Sequence, residues 1–162
     1  MYIPFEEMPE EARIWVYQAD RPFDEQEKTW IISKLVTFCN QWNTHGSLMP
    51  SSFDIKYDQF IVLSVDESQL GASGCSIDSS VKVLREIETK LNVNLLDNGK
   101  VSYLDNNGVK VAFLPEIRQH IDEGSLQARS KVFNPGVNKI SDLEKQWLIP
   151  ADDSWLKKYF SK

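Results

Sequence analysis

IKYDQFIVLSVDESQLGASGCSIDSSVKVLREIETKL, residues 55–91, decides the fold. Its first eleven residues begin in alternation and finish as an unbroken apolar run, the pattern of a strand whose second half is covered on both faces. That predicts a central strand over 55–65. Ile77, Val81, Leu84, Ile87 and Leu91 then recur at intervals of three and four, which places them on one stripe of a helix of about four turns. Between the two lies a run of small residues, LGASGCSIDSSV (70–81), where a strand hands over to a helix.

Working outward, RIWVYQA (13–19) alternates and is rich in β-formers, so it reads as a strand ended by Asp20, Arg21 and Pro22. Asp24 stands three residues before Glu27, the spacing at which an N-cap side chain and an N3 carboxylate satisfy each other's free amides, so a helix begins there. Trp30, Ile31, Leu35, Phe38 and Trp42 form its apolar stripe, and Gly46 supplies the stop. On the other side, 101–104 and 109–113 flank the turn DNNG (105–108), the strongest hairpin signal in the chain. Pro115, Ile117, Ile121 and Gly124 delimit a short helix. VFNPGV (132–137) is an extended piece broken by a turn. Ser141 with Glu144 repeats the capping box before LEKQWL, a helix that Pro150 ends, and Asp152 and Asp153 can cap a last helix carrying Trp155, Leu156, Tyr159 and Phe160.

This order predicts an α+β fold: a two-layer mixed sheet of four or five strands with helices mainly on one face, a ferredoxin-like plait as the nearest named shape, and extra helices at the C-terminal end. A chain of 162 residues with 41% hydrophobic and 26% charged content fits a single domain over 1–162. Eighteen basic against twenty-four acidic residues leave a net charge of -6 with no basic stripe, which argues against nucleic acid as a partner. The opening MYIPFEEMPEEAR places acids where an export signal needs lysines, and FIVLSV (60–65) falls far short of the roughly 20 residues of a membrane helix, so a cytoplasmic protein is expected. In that compartment Cys39 and Cys75 read as free thiols.

The 70–81 run holds the candidate site. Cys75 lies near the start of a helix, where amides and the helix dipole favour a thiolate, so it is a candidate nucleophile; the competing reading makes it a small filler in a capped turn. His45, in NTHG (43–46), is the candidate base and Asp78 the nearby acid, whereas His120 is placed facing solvent. The same run can cradle a small anion through its main-chain amides, with Ser73, Gly74, Ser76 and Ser79 as ligand-binding residues, or serve as a contact for a protein partner. Asp66, Glu67 and Asp78 could share a divalent cation, but acids at a strand end are common solvated punctuation and no metal or other cofactor is assigned. The P-loop pattern is absent, since Gly71 and Gly74 are too close and no lysine follows. Trp147, Trp155, Tyr159 and Phe160 pack as core or form a surface for a second copy, a homodimer through the aromatic tail.

Four stretches, MYIPFEEMPEEARIWVYQADRPF, QFIVLSVDES, ASGCSIDSSV and WLIPADDSWLKKYF, together resemble a family of small, uncharacterised bacterial proteins that often carry the name "ABC transporter ATPase". The resemblance covers essentially the whole chain and implies no catalytic residues. An ATPase of that class requires a Walker loop, a signature motif and a far longer chain, none of which this sequence has.

Overall fold

The computed structural model describes residues 1–160. The chain divides into two compact units, one holding Met1–Leu96 with Asn138–Ser141, the other holding Asp97–Val137 and the residues from Asp142 on. The class is α+β, as expected.

In the first unit, β1 (Arg13–Gln18) leads to α1 (Glu25–Gln41), a two-stranded ribbon of β2 (Asn43–Thr44) and β3 (Ser47–Leu48), then β4 (Ser51–Lys56), β5 (Phe60–Val65) and α2 (Gly74–Leu91). The main sheet is ordered β1-β5-β4 with antiparallel neighbours. Two further segments lie on its edges. Tyr2 makes a parallel bridge to Ser51 on β4, which makes the sheet mixed, and Lys139 makes an antiparallel bridge to Arg13 on β1. Ile14 N–H donates to Asn138 O and Ile140 N–H to Ala12 O, so residues 138–141 stand where a fourth strand would. The resulting order, 138–141, β1, β5, β4, with one helix after β1 and one after β5, is that of a ferredoxin-like plait.

Local chemistry accounts for these elements. Asp24 caps α1 by accepting from Glu27 N–H at 2.7 Å, while Glu27 accepts from Asp24 N–H at 3.0 Å. Ile31, Leu35 and Cys39 of α1 and Val83, Leu84 and Ile87 of α2 are buried against Ile61, Leu63 and Val65 of β5, so both helices share a core with one face of the sheet. Each fully buried aliphatic side chain there contributes about 1.5–3 kcal/mol relative to exposure. Phe60, Val62 and Ser64, on the other face of β5, are also fully buried, which accounts for the continuous apolar run.

Three expectations are corrected. The single strand over 55–65 is a hairpin, turned at Tyr57 and Asp58, whose φ angles of 53° and 55° are left-handed. Aspartate tolerates this region but tyrosine does not favour it, so the turn signal within an otherwise strand-like run is weak; distant partners hold it, with Phe23 N–H donating to Asp58 O and the Gln59 side-chain amide to Ala19 O. Helix α2 turns a different stripe inward, because Ser76 and Ser80 are buried while Ile77 and Val81 are only half-buried. Their hydroxyls are satisfied by Asn43 O and Ile77 O, which lets serine occupy core positions. The helix expected over 143–148 is a single turn, Asp142–Lys145, after which Leu148–Pro150 is a strand.

The second unit contains β6 (Lys100–Asp105), β7 (Gly108–Phe113), α3 (Ile117–Asp122), β8 (Lys131–Phe133), α4 (Asp142–Lys145) and β9 (Leu148–Pro150), with a sheet ordered β7-β6-β8-β9 and antiparallel throughout. The strands of the chain are therefore shared among separate sheets, of which this one has four strands. Val101, Tyr103, Ala112, Ile117, Val132 and Leu156 belong to its core. Trp147 is buried edge-on against Phe133, with ring centres 4.9 Å apart, and Tyr159 and Phe160 pack on the core, leaving Trp155 40% exposed. Among the described residues, no helix is long and apolar enough to cross a membrane.

Candidate functional site

β5 ends at Val65, and the next eight residues lead to the head of α2. Glu67 organises this loop from within: its Oε2 accepts from Ala72 N–H at 2.8 Å and stands 3.7 Å from Arg13 Nη1. The loop therefore already binds a carboxylate through one of its own amides. A Cβ on Gly71 would come within 3.3 Å of the same Glu67 oxygen, so a glycine there lets the carboxylate approach.

Ser73 is the N-cap of α2. Its Oγ accepts from Ser76 N–H at 3.1 Å, Ser76 Oγ accepts from Ser73 N–H at 3.2 Å, and the two hydroxyls lie 2.8 Å apart. Ser76 is 2% exposed; its hydroxyl donates to Asn43 O at 2.7 Å and its carbonyl accepts from Trp42 Nε1–H at 2.8 Å. Both hydroxyls are thus spent within the protein, and that of Ser76 seats the β2–β3 ribbon at the head of α2. Ser79 Oγ donates to Cys75 O one turn back. What stays open is main chain: the amides of Gly74 and Cys75, both in exposed residues, take no partner among the described residues. At the first turn of an 18-residue helix these two amides point along the positive end of the dipole.

No disulfide joins the two cysteines. Cys75 is exposed at the second position of α2, whereas Cys39 is fully buried and its thiol is pushed up to about 11 by that burial. His45 sits at the tip of the β2–β3 ribbon with a left-handed φ of 49°, beside Gly46 at 83°, a pairing that suits a two-residue hairpin. The ribbon's contact with Ser76 brings His45 to the same end of α2 as Cys75, yet no hydrogen bond joins them. Asp78 is exposed one residue after Ile77. His120, expected to face solvent, is half-buried in the second unit and bonded to Tyr103. Asp66 spends one carboxylate oxygen on Ser68 N–H, and no group of three His, Cys, Asp or Glu side chains among the described residues gathers as a metal ion would require.

The arrangement can therefore do two things: bind an anion through paired amides, and present one thiol at a helix head. No family model, no curated protein and no solved structure matches the chain.

Proposed function

We propose that this protein is a binding module for a small anionic ligand, held at the head of α2 by the amides of Gly74 and Cys75. The observation that carries this reading is the pair of partnerless amides on an exposed helix start, beside a loop amide that already takes a carboxylate from Glu67. Ser73 and Ser76 serve as the frame that aims these amides, and Ser79 steadies the first turn. Asp66, Glu67 and Asp78 make the surroundings acidic, which favours a small ligand that reaches the amides over an extended polyanion.

The test uses Gly74→Pro. Proline is well suited to the first helical position, Ser73 before it is already extended (φ -90°, ψ 170°), and a Cβ at Gly74 meets nothing within 4 Å, so the variant keeps the helix while deleting one amide donor. Titration with inorganic phosphate, followed by amide NMR, is expected to shift Cys75 and Ser76 saturably in the native protein and to be weakened in the variant. Absence of a saturable shift, or equal binding by Gly74→Pro, overturns the reading.

A second reading rests on the exposure of Cys75: a thiol-dependent enzyme in which Cys75 is the nucleophile, with His45 and Asp78 as assisting groups. It predicts that Cys75→Ser abolishes turnover of a thiol-reactive ester while phosphate binding persists; equal turnover by the variant removes it.

A further inference from the structure

The outer edge of β4 borders a concave site, remote in sequence from the α2 loop. A cleft of about 340 Å³ opens there between β4, the first two turns of α1 and the opening segment of the chain. Its walls include the rings of Tyr2, Phe5 and Phe53, the side chain of Ile32, and the carboxylates of Glu6 and Asp54. The Tyr2 and Phe53 rings meet at a tilt of 38° with centres 5.6 Å apart, and Ile32 is 47% exposed although it lies on a helix whose other apolar residues face the core.

The cleft carries charges of both signs with an acidic excess: Glu6, Asp54 and Asp58 line it together with Lys28, and Lys56 reaches in over Phe5. Asp58, at its far end, is neutralised by Lys28 at 2.8 Å, an ammonium that Glu25 also shares at 2.7 Å. Asp54 is partnered by Lys56 at 3.0 Å. Glu6 has no partner among the described residues and leaves the cleft with an uncompensated negative charge. Burial first, with the nearby carboxylates of Glu6 and Asp54 acting in the same direction, pushes the Tyr2 phenol above its usual range. The protein also shows how an ammonium sits here: Lys56 Nζ lies 5.3 Å over the Phe5 ring while it contacts Asp54.

We propose that this cleft is a binding site for an alkylammonium cation, its aliphatic body against Tyr2, Phe5, Phe53 and Ile32 and its charge against Glu6, beside the Asp54–Lys56 pair. Rings and carboxylates converging from three segments attract a cation with a hydrocarbon stem, whereas an anion meets like charge and a neutral ligand leaves Glu6 unpaired. Strand addition along β4 is disfavoured by the Asp54 side chain, which accepts from Ile55 N–H at 2.8 Å and so occupies the edge. The same chemistry can arrive as a free diamine or as a lysine side chain of a peptide.

Three probes distinguish these sources: 1,4-diaminobutane, a lysine blocked at both main-chain ends, and 1,4-butanediol as the uncharged control. Ring-proton signals of Tyr2, Phe5 and Phe53 are expected to move saturably with at least one amine and not with the diol, and the effect is expected to weaken as salt is raised. Binding of the diamine alone identifies a free amine as the ligand; tighter binding of the blocked lysine identifies a peptide side chain. Glu6→Gln, at an exposed residue that bonds to nothing else described, is expected to lower affinity roughly threefold, the scale of one exposed charge pair. Phe5→Leu, which keeps the apolar bulk and removes the ring, is expected to lower it as well. No saturable shift with either amine, equal shifts with the diol, or unaltered affinity in Glu6→Gln overturns the proposal.

Discussion

The phenol of Tyr103, 1% exposed on β6, lies 2.7 Å from Nδ1 of His120 on α3, with the two rings edge to face. A buried hydroxyl and a half-buried imidazole are unequal partners, and the inequality can be measured. Tyr103→Phe removes the hydroxyl and leaves an imidazole that can turn to water, at a cost of about 1 kcal/mol. His120→Phe keeps a ring in place and strands the buried hydroxyl, at about 1–3 kcal/mol. Urea unfolding of the two variants is expected to rank His120→Phe as the less stable.

Gly74→Pro is expected to stabilise the protein by about 0.4–1 kcal/mol, because it restricts the unfolded chain at a position whose folded conformation suits proline. A higher urea midpoint with an unaltered slope checks this. A lower midpoint would mean that the Gly74 amide has a structural partner.

Glu27 links α1 to acid stability. Both its oxygens receive Arg21 guanidinium nitrogens at 2.8 Å, and one also receives the Asp24 amide, so its carboxyl is held down at about 2 from an ordinary 4.5. A carboxyl lowered on folding contributes stability above its unfolded value and loses it as pH falls toward the folded one. The deficit of Glu27→Gln is expected to be about 1 kcal/mol near neutrality, held down by water around the 42% exposed Arg21, and to shrink between pH 4.5 and 2. Thermal melts of both proteins across that range check the sign.

The two thiols are expected to react in sequence. Cys75 is exposed and takes an aromatic disulfide reagent in the native protein; Cys39, enclosed and raised to about 11, reacts only when denaturant opens the core. Absorbance should report one equivalent before unfolding and a second after it.

These residues also explain which parts of the molecule were legible in the sequence. Asp24 and Glu27 lie three apart and cap each other, so the start of α1 could be read from spacing alone, and Gly108 marked its hairpin because glycine tolerates a φ of 115°. Tyr57 and Asp58 gave a weaker sign, since only the aspartate tolerates a left-handed φ: their turn is held by partners at Phe23 and Ala19, and propensity has no access to partners. Ser76 looked like a loop donor because serine is polar; its burial depends on Asn43, 33 positions away. The helix start beside Cys75 was legible, whereas its exposure was not, and its relation to His45 depended on the β2–β3 ribbon, hidden behind a glycine read only as a helix stop. The β4 cleft escaped notice because Tyr2, Phe5, Ile32 and Phe53 belong to separate segments with no common period.

The segment 138–141 has a consequence for synthesis. Lys139, which pairs with Arg13 and reaches Glu11, lies 128 positions after that glutamate. A ribosome releases β1, β5 and both long helices well before it releases the strip that borders β1. For that interval the nascent sheet carries a bare margin of unpaired amides and carbonyls open to wrong partners, so slow translation through residues 97–137 lengthens the period of greatest aggregation risk.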